Sequence, residues 1–418
     1  MNRLMNLLCA VIAIFGKRKN TEVVMRREQA QGKEPLLKKK VKDALVGLED
    51  YLMQRYTFRF NLLTEETEFR EKEDRNGEFR KVTQRNMNTF CIKARREGVD
   101  CWDRDVTRFL CSEDVDEYHP FFLYMDSLPD WDGVDRITEL GERVSTKEIW
   151  RMGFHRWMLG MAAQWLGMDK LHGNSVAPVL ISEKQGKQKS TFCKLLMPSV
   201  LQRYYTDSFD LSAQGRCERK LAAFGLINLD EADKFPAQKM AVLKNLMQMA
   251  DLNICKAYQK NYSSLPRIAS FIATSNQKEL LTDPTGSRRF LCVELDHKID
   301  CSPIDHEQIY AQLKAELEAG ERYWFTSEEE AAVMENNKAF YKSAVEEDVF
   351  HACFRLPESS EKPVLLRAAD IFQHLRKHNP AAMRGKAAGN FGKILMSIGV
   401  ERIHTRDGNF YPVKFRNT

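Results

Sequence analysis

No two cysteines in this chain stand at C-x-x-C spacing, and none of the ten joins a histidine at zinc-ligand spacing. The first absence speaks against a zinc scaffold, and scattered thiols point to a reduced cytoplasmic protein without a disulfide framework. Long hydrophobic runs are also missing. The nearest is Leu4 to Phe15, which follows Arg3, is interrupted by Asn6 and ends at Gly16-Lys-Arg-Lys. It imitates an export signal, yet it is too short to span a bilayer and no small-x-small cleavage site follows it. The expectation is a peripheral helix or an overextended start, with Met25 as the alternative first residue, and no stable membrane insertion. Charge of one sign is scarce: a net +5 over 418 residues permits nucleic-acid binding without requiring it. A hydrophobic content of 43% is enough for at least one large core, and the length suits two or three domains.

What is present is the stretch Ala177-Pro-Val-Leu-Ile-Ser-Glu-Lys-Gln-Gly-Lys-Gln-Lys-Ser-Thr-Phe192. It reads as a buried strand over Pro178 to Ile181, a polar turn, and a helix opening at Ser190. That is the plan of a phosphate-binding loop, in which backbone N–H groups curl around an anion, a lysine meets the outer phosphates and a hydroxyl takes Mg²⁺. Lys189 and Ser190 stand at those two places, with Gln185, Gly186, Lys187, Gln188 and Thr191 completing the loop. Both glycines of G-x-x-x-x-G-K-[ST] are replaced, by Glu183 and Gln188, so only Gly186 remains inside. A non-glycine residue at positive φ costs about 1–2 kcal/mol, which a folded domain absorbs, but its side chain can crowd a phosphate. Alone, the segment is better explained by an ordinary lysine-rich helix start.

Three later segments change that balance. Leu221 to Leu229 is an apolar run with the length of a buried parallel strand, and it ends in Asp230 and Glu231. There an aspartate can hold Mg²⁺ and the next glutamate can polarise water. Arg267 to Asn276 reads as another buried strand, with Asn276 placed to reach a γ-phosphate. Asp283-Pro-Thr-Gly-Ser-Arg-Arg-Phe290 presents Arg288 and Arg289 on a turn, and a guanidinium suits the charge of a transferring phosphoryl group. Between these, Cys255 to Tyr262 mixes Lys256, Tyr258 and Lys260, which suits a strand of nucleic acid and fits a plain solvated hairpin nearly as well.

The remaining chain reads as supporting structure. Residues 17 to 42 form a basic leader. Tyr56 to Leu63 alternates like a strand with Gly77 to Thr83 as its expected partner, and a helix from about Thr83 to Glu97 completes a small α+β domain. Tyr118 to Ile137 looks like a fixed corner with Trp131 wedged between layers, and Ile149 to Leu166 is a helix with a broad buried face. After helices over 304 to 345, a helix Ala368 to Lys377, a helix near Asn390 to Ile398 and a hairpin around Asp407-Gly408 predict a winged helix, with Arg384, Lys386 and Lys393 as phosphate contacts. The same topology also serves protein docking.

Pro-Asp-Trp-Asp-Gly-Val-Asp-Arg-Ile, Gln-Gly-Lys-Gln-Lys-Ser-Thr-Phe, Asn-Leu-Asp-Glu, Phe-Ile-Ala-Thr-Ser-Asn and Thr-Gly-Ser-Arg-Arg-Phe, in this order over about residues 115 to 300, resemble the virulence-associated E family. Its members are P-loop ATPases of phage and mobile elements, similar to superfamily 3 and primase-associated helicases. The resemblance implies an α/β fold: an additional-strand, AAA+-like P-loop NTPase core, active as a homo-oligomeric ring of which a hexamer is one form, with ATP between subunits. Carried over by position, Lys189 and Ser190 hold phosphate and Mg²⁺, Asp230 is the metal-side acid, Glu231 the base, Asn276 the sensor, and Arg288 or Arg289 reaches the neighbouring site. Lys256 falls near a channel hairpin. The expected division is a leader over 1–40, an α+β domain over 41–135, the ATPase over 136–300, a helical connector over 301–360 and a winged-helix module over 361–418. The expected activity is an ATP-driven motor on single-stranded DNA, with a primase or another replication protein as a further partner. The rival readings are a nucleotide-dependent DNA-binding assembly protein with little hydrolysis and, more distantly, a small-molecule kinase.

Overall fold

The structure, a computed structural model, describes residues 47–416 apart from 75–76, 169–171, 212–215, 236, 256–261, 282–283, 343–344, 359–360 and 407. The basic leader therefore lies outside the described residues. The chain forms two compact units, Met1–Leu128 and Pro129–Thr418.

In the first unit the strands are Tyr56–Asn61 (β1), Glu66–Glu71 (β2), Arg80–Lys81 (β3) and, after helices Gln84–Arg96 (α1) and Asp103–Leu110 (α2), Glu117–Tyr118 (β4), followed by helix Pro120–Asp126 (α3). The sheet order is β3-β2-β1-β4. Tyr56, Phe58 and Phe69 point one way and bury against Phe90 of α1 and Phe109 of α2, as period-2 strands meeting an amphipathic helix should. Thr83 caps α1 by accepting from the Asn86 N–H. The partner of β1 is not the Gly77–Thr83 segment that the sequence suggested. It is β2, in register Phe58↔Phe69, with Arg80 and Lys81 on the far side of β2. Charge hides the alternation of Glu66-Thr-Glu-Phe-Arg-Glu71, because Glu68, on the face opposite Phe69, is buried as well. Its buried carboxylate accepts from Arg59 Nε at 2.9 Å and from the Tyr118 hydroxyl at 2.7 Å.

The second unit opens with helices Arg136–Glu142 (α4) and Glu148–Trp165 (α5), then strand Ala177–Ile181 (β5), helix Lys189–Leu195 (α6), strand Tyr205–Thr206 (β6), helix Arg216–Ala223 (α7) and strand Leu226–Leu229 (β7). Helix Ala237–Leu246 (α8), a hairpin of Asp251–Cys255 (β8) and Tyr262–Pro266 (β9), and strands Ser270–Ser275 (β10) and Phe290–Glu294 (β11) follow. The five strands β11-β5-β10-β7-β6 make one wholly parallel sheet. On one face Val179, Ile227, Leu229, Phe271 and Cys292 bury with Leu243 of α8 and with Met247 just after it. On the other lies α5, whose Trp150, Phe154, Trp157 and Trp165 are all buried. Phe154 reaches Phe192 of α6 at 6.2 Å between ring centroids.

Two expectations are corrected here. Leu221–Ala223 closes α7 rather than opening a strand, since Ala-Ala-Phe-Gly is a helix end and only Leu226–Leu229 is extended. Trp131 is only half-buried; its indole N–H donates to the Val134 carbonyl at 2.9 Å, so it pins a surface corner and separates no layers.

Helices His306–Glu318 (α9) and Ser327–Asn336 (α10) lead to helix Val345–Cys353 (α11), strands Phe354–Arg355 (β12) and Val364–Arg367 (β13), helices Ala368–His378 (α12) and Phe391–Ser397 (α13), and strands Ile403–Thr405 (β14) and Gly408–Phe415 (β15). The core of this last module starts at Val349 and Phe350, so α11 packs with it. Among the described residues no helix is long and apolar enough to cross a membrane.

Helix α5 can approach β11 closely because Gly153 has no side chain: a Cβ there would sit 2.6 Å from Leu291 Cδ2. Overpacking of a filled core costs about 1–3 kcal/mol. Gly153→Ala is expected to lower the unfolding free energy by that amount, read as a lower denaturant midpoint at unchanged m-value, and an unaltered midpoint would mean that Leu291 has room to turn away.

Candidate phosphate-binding site

Strand β10 lies between β5 and β7, with Ser275 opposite Ile181 and Ala273 opposite Leu229. Neighbouring strands are about 4.8 Å apart, so the segments leaving their carboxyl ends are forced together. These are the loop Ser182–Gln188, the pair Asp230-Glu231, and Asn276.

The loop turns through Gly186 at φ 78° and Gln188 at φ 63°. Gln188 therefore holds the left-handed conformation that a glycine would take without strain. A strap after β11 braces it: the Ile299 N–H donates to the Lys187 carbonyl at 3.2 Å, Lys187 Nζ donates to the Asp296 carbonyl at 2.9 Å, and Cys301 Sγ lies 3.8 Å from the Gln188 carbonyl. Gln185 and Thr191 are exposed, and so is Glu183.

Lys189 is only 9% exposed. Its ammonium donates to the Ser182 carbonyl at 2.9 Å and to Asn276 Oδ1 at 2.8 Å, both neutral oxygens. Burial lowers its pKa, opposed by the nearby charges of Asp230 and Asp233. Ser190 Oγ donates to Asp230 Oδ1 at 2.9 Å, and Thr274 Oγ1 donates to the same oxygen at 2.6 Å. Glu231 is at φ 53° and its N–H donates to Thr274 Oγ1 at 3.2 Å. Its carboxylate is held by Lys234 on one oxygen and lies 3.5 Å from Asn276 Nδ2 on the other. Glu231 in turn raises the Lys234 pKa.

Five residues singled out from the sequence, Lys189, Ser190, Asp230, Glu231 and Asn276, thus form one hydrogen-bonded cluster. Three participants were not assigned in advance. Thr274 ties Asp230 to Glu231; Asp233 accepts from the Asn276 N–H and from Ser275 Oγ, each at 3.1 Å; Ser182 receives the lysine. Their signal was the polar end of Ala-Thr-Ser-Asn276 beside a third acid after Asp-Glu, which means little until the register is known. A cleft of about 590 Å³ opens beside the cluster, lined by Glu183, Asn276, Gln277, Lys278, Glu279 and Lys342.

Arg288 and Arg289 are not brought to this cluster. They end a short 3-10 turn, Pro284–Arg289, at the amino end of β11. Because β11 runs parallel to β5, with Phe290 opposite Ala177 and Glu294 opposite Ile181, the arginines and the loop lie at opposite ends of the sheet. Five residues at about 3.3 Å each set them roughly 16 Å apart along the strand. Arg288 pairs with Glu330 at 2.9 Å, and Arg289 is half-buried. Lys256, Tyr258 and Lys260 lie outside the described residues; the hairpin arms that carry them pair from Asp251↔Pro266 to Cys255↔Tyr262. Among the described residues no three His, Cys, Asp or Glu side chains gather as a metal cage.

The family model for the virulence-associated protein E-like domain matches residues 125–342. The chain belongs to the virulence-associated protein E-like family. The matched span holds the whole cluster, the strap and both arginines, and a second model, for a domain of unknown function, matches residues 343–413. No curated protein matches the chain. Among solved structures, the apo C-terminal region of NrS-1 is similar at 13% identity and a TM-score of 0.43, covering 90% of this chain and 100% of that one. The A form of the same region gives 13% and 0.42, with 89% and 99% covered. Likeness at that level carries no functional argument.

Gln188→Gly exchanges a strained residue for one that accepts the conformation freely. The left-handed cost of about 1–2 kcal/mol outweighs the extra chain entropy of glycine, about 0.5–1 kcal/mol. The thermal midpoint is expected to rise, and a fall would show that the glutamine side chain itself holds the loop.

Proposed function

We propose that this protein is an ATP-dependent motor on DNA, helicase-like, serving replication or mobilisation of a mobile element. The observation that carries this reading is the Lys189 ammonium, buried with neutral oxygens as its hydrogen-bond partners beside the Ser190–Asp230 pair. Burying a charge without an opposite one is costly, and the anion that would relieve the cost is a phosphate. Lys189 fits a β/γ-phosphate, and Ser190 with Asp230 fits Mg²⁺, which takes few protein ligands and completes its shell with phosphate oxygens and water. When bound, the cation would neutralise charge developing on the transferring group.

The chain's own residues then have separate tasks. Lys189 holds the phosphate. Thr274 fixes Asp230 so that one oxygen faces the serine. Glu231 takes the proton of the attacking water once Lys234 has let go of it, and Asn276 orients that water. Arg288 and Arg289, at the far end of the sheet, complete the site of a neighbouring copy in a ring. We read the core as a P-loop NTPase of the additional-strand, AAA+-like type, because β10 separates the loop strand β5 from the carboxylate strand β7. The order helix, two short strands, two helices, hairpin supports a winged helix at the C-terminus. The β8–β9 hairpin is the element proposed to meet single-stranded DNA. Gln188 in a strained conformation and Lys234 on the base favour a second reading, a nucleotide-dependent DNA-binding assembly with little turnover.

Steady-state phosphate release with single-stranded DNA separates the two. Loss of a positioned general base typically costs about 10²–10⁴ in rate, so Glu231→Gln and Lys189→Ala should fall by at least about 100-fold. Wild-type release no higher than that of the variants would leave only the assembly reading. A mixing experiment addresses the arginines. Arg288→Ala/Arg289→Ala chains keep the loop, Lys189→Ala chains keep the arginines, and their mixture is expected to recover activity that neither has alone. No recovery would place the catalytic arginine elsewhere.

A further inference from the structure

After the basic leader, a second excess of positive charge stands at the C-terminal end of the chain. Residues 361–416 carry eleven lysines and arginines against four acidic residues, more than the whole chain's excess of five. The asymmetry is not absorbed internally. Arg355 pairs with Glu361 and Lys386 with Glu346 at 3.1 Å, so Lys386 is already committed. Arg376, Lys377, Arg384, Lys393, Arg402 and Arg406 are exposed, and among the described residues none of the six has a carboxylate within ion-pair distance. Surface cations ordinarily alternate with acids; a cluster without them keeps its full field for a polyanion.

The fold gives that field a shape. Helix α13 buries Phe391 and Leu395 in the module's core and exposes Lys393 and Met396. Gly399, at φ 87°, ends the helix, with the Val400 N–H donating to the Leu395 carbonyl at 2.9 Å, and the chain enters β14 directly. Arg402 and Arg406 therefore flank the β14 arm that follows this helix. Strand β15 lies between β14 and β13, in register Ile403↔Phe410 and Arg367↔Phe410. A helix with one exposed side, followed at once by a hairpin arm with an arginine at each end, is a combination suited to paired DNA. It matches the width of a duplex major groove, with the hairpin on the adjoining backbone.

We infer that residues 345–416 bind double-stranded DNA through the exposed side of α13 and the β14–β15 hairpin. A single strand would need open aromatic faces on which bases stack, and α13 with the β14 end of the hairpin is poor in them: Tyr411 is buried, Phe410 is half-buried with the Arg367 guanidinium 5.5 Å from its ring, and the exposed Phe415 lies past the β14 ladder, against Phe354 and His374. The duplex contact is separate from the single-strand contact proposed for the β8–β9 hairpin and needs no nucleotide. It holds the chain on paired DNA while the other element engages a separated strand, and in that role it rests on the motor reading.

The test is fluorescence anisotropy of the full chain with a short duplex, without nucleotide, over a salt series. The combined variant Lys393→Ala/Arg402→Ala/Arg406→Ala should bind at least about 10-fold more weakly, with the slope of log affinity against log salt reduced by about 3, one for each lost phosphate contact. The charge-conserving pair Arg402→Lys/Arg406→Lys should keep wild-type binding, and Lys189→Ala should bind duplex as wild type does. Unchanged affinity and slope in the combined variant would overturn the inference and leave the surface to a protein partner. Loss of duplex binding in Lys189→Ala would overturn it as well, by tying the contact to the nucleotide site. Failure of phosphate release alone, with duplex binding intact, would sink the motor reading and not this one.

Discussion

The constraint on which the second unit depends is the burial of one ammonium. Lys189 sits where three parallel strands end, and two neutral oxygens from two of the flanking segments are its hydrogen-bond partners. Water has been removed from a charge without a counter-charge in direct contact, so the site is held short of electrostatic balance. Much of what surrounds it follows from that. Asp230 is close enough to raise the lysine's pKa but is occupied by Ser190 and Thr274. Asp233 is tied to the backbone of Asn276. The carboxylates are near, yet each is held away by a hydroxyl or an amide, which keeps the lysine available to a ligand.

The parallel sheet makes this arrangement possible. Strands that all run the same way deliver their following loops to one edge, and the turn preceding β11 to the other. Burying β5, β7 and β10 on both faces favours apolar residues, and α5 supplies one covering layer in which tryptophan, phenylalanine and methionine are the large side chains. Polar chemistry gathers at the carboxyl ends of the strands, in Thr274 and Ser275 and in the residues just beyond.

Much of the site was legible from sequence because such strands are short, mainly apolar runs that give way to polar or charged residues at their carboxyl ends. Leu-Ile-Asn-Leu-Asp-Glu and Phe-Ile-Ala-Thr-Ser-Asn announce both the strand and the place where it ends. Neighbour relations were less legible. Thr274 and Asp233 take their roles from the register of β10 against β7, which no local pattern encodes. In the first unit, charge concealed β2, since a glutamate that two partners neutralise in the interior looks like a surface residue in the sequence. The broken glycine pattern was a fair warning in one of two places: Gln188 does take positive φ, whereas Glu183 does not.

Strand β11 also works as a stiff rod. The arginines sit at its leading end, and the strap that grips the Lys187 peptide departs from its trailing end, within five residues of one another by way of a continuous ladder to β5. No loop interrupts the path from the guanidinium end to the segment that braces Lys187. In the ring proposed above, this edge strand would be the direct physical link between a neighbour's site and the loop of the same chain.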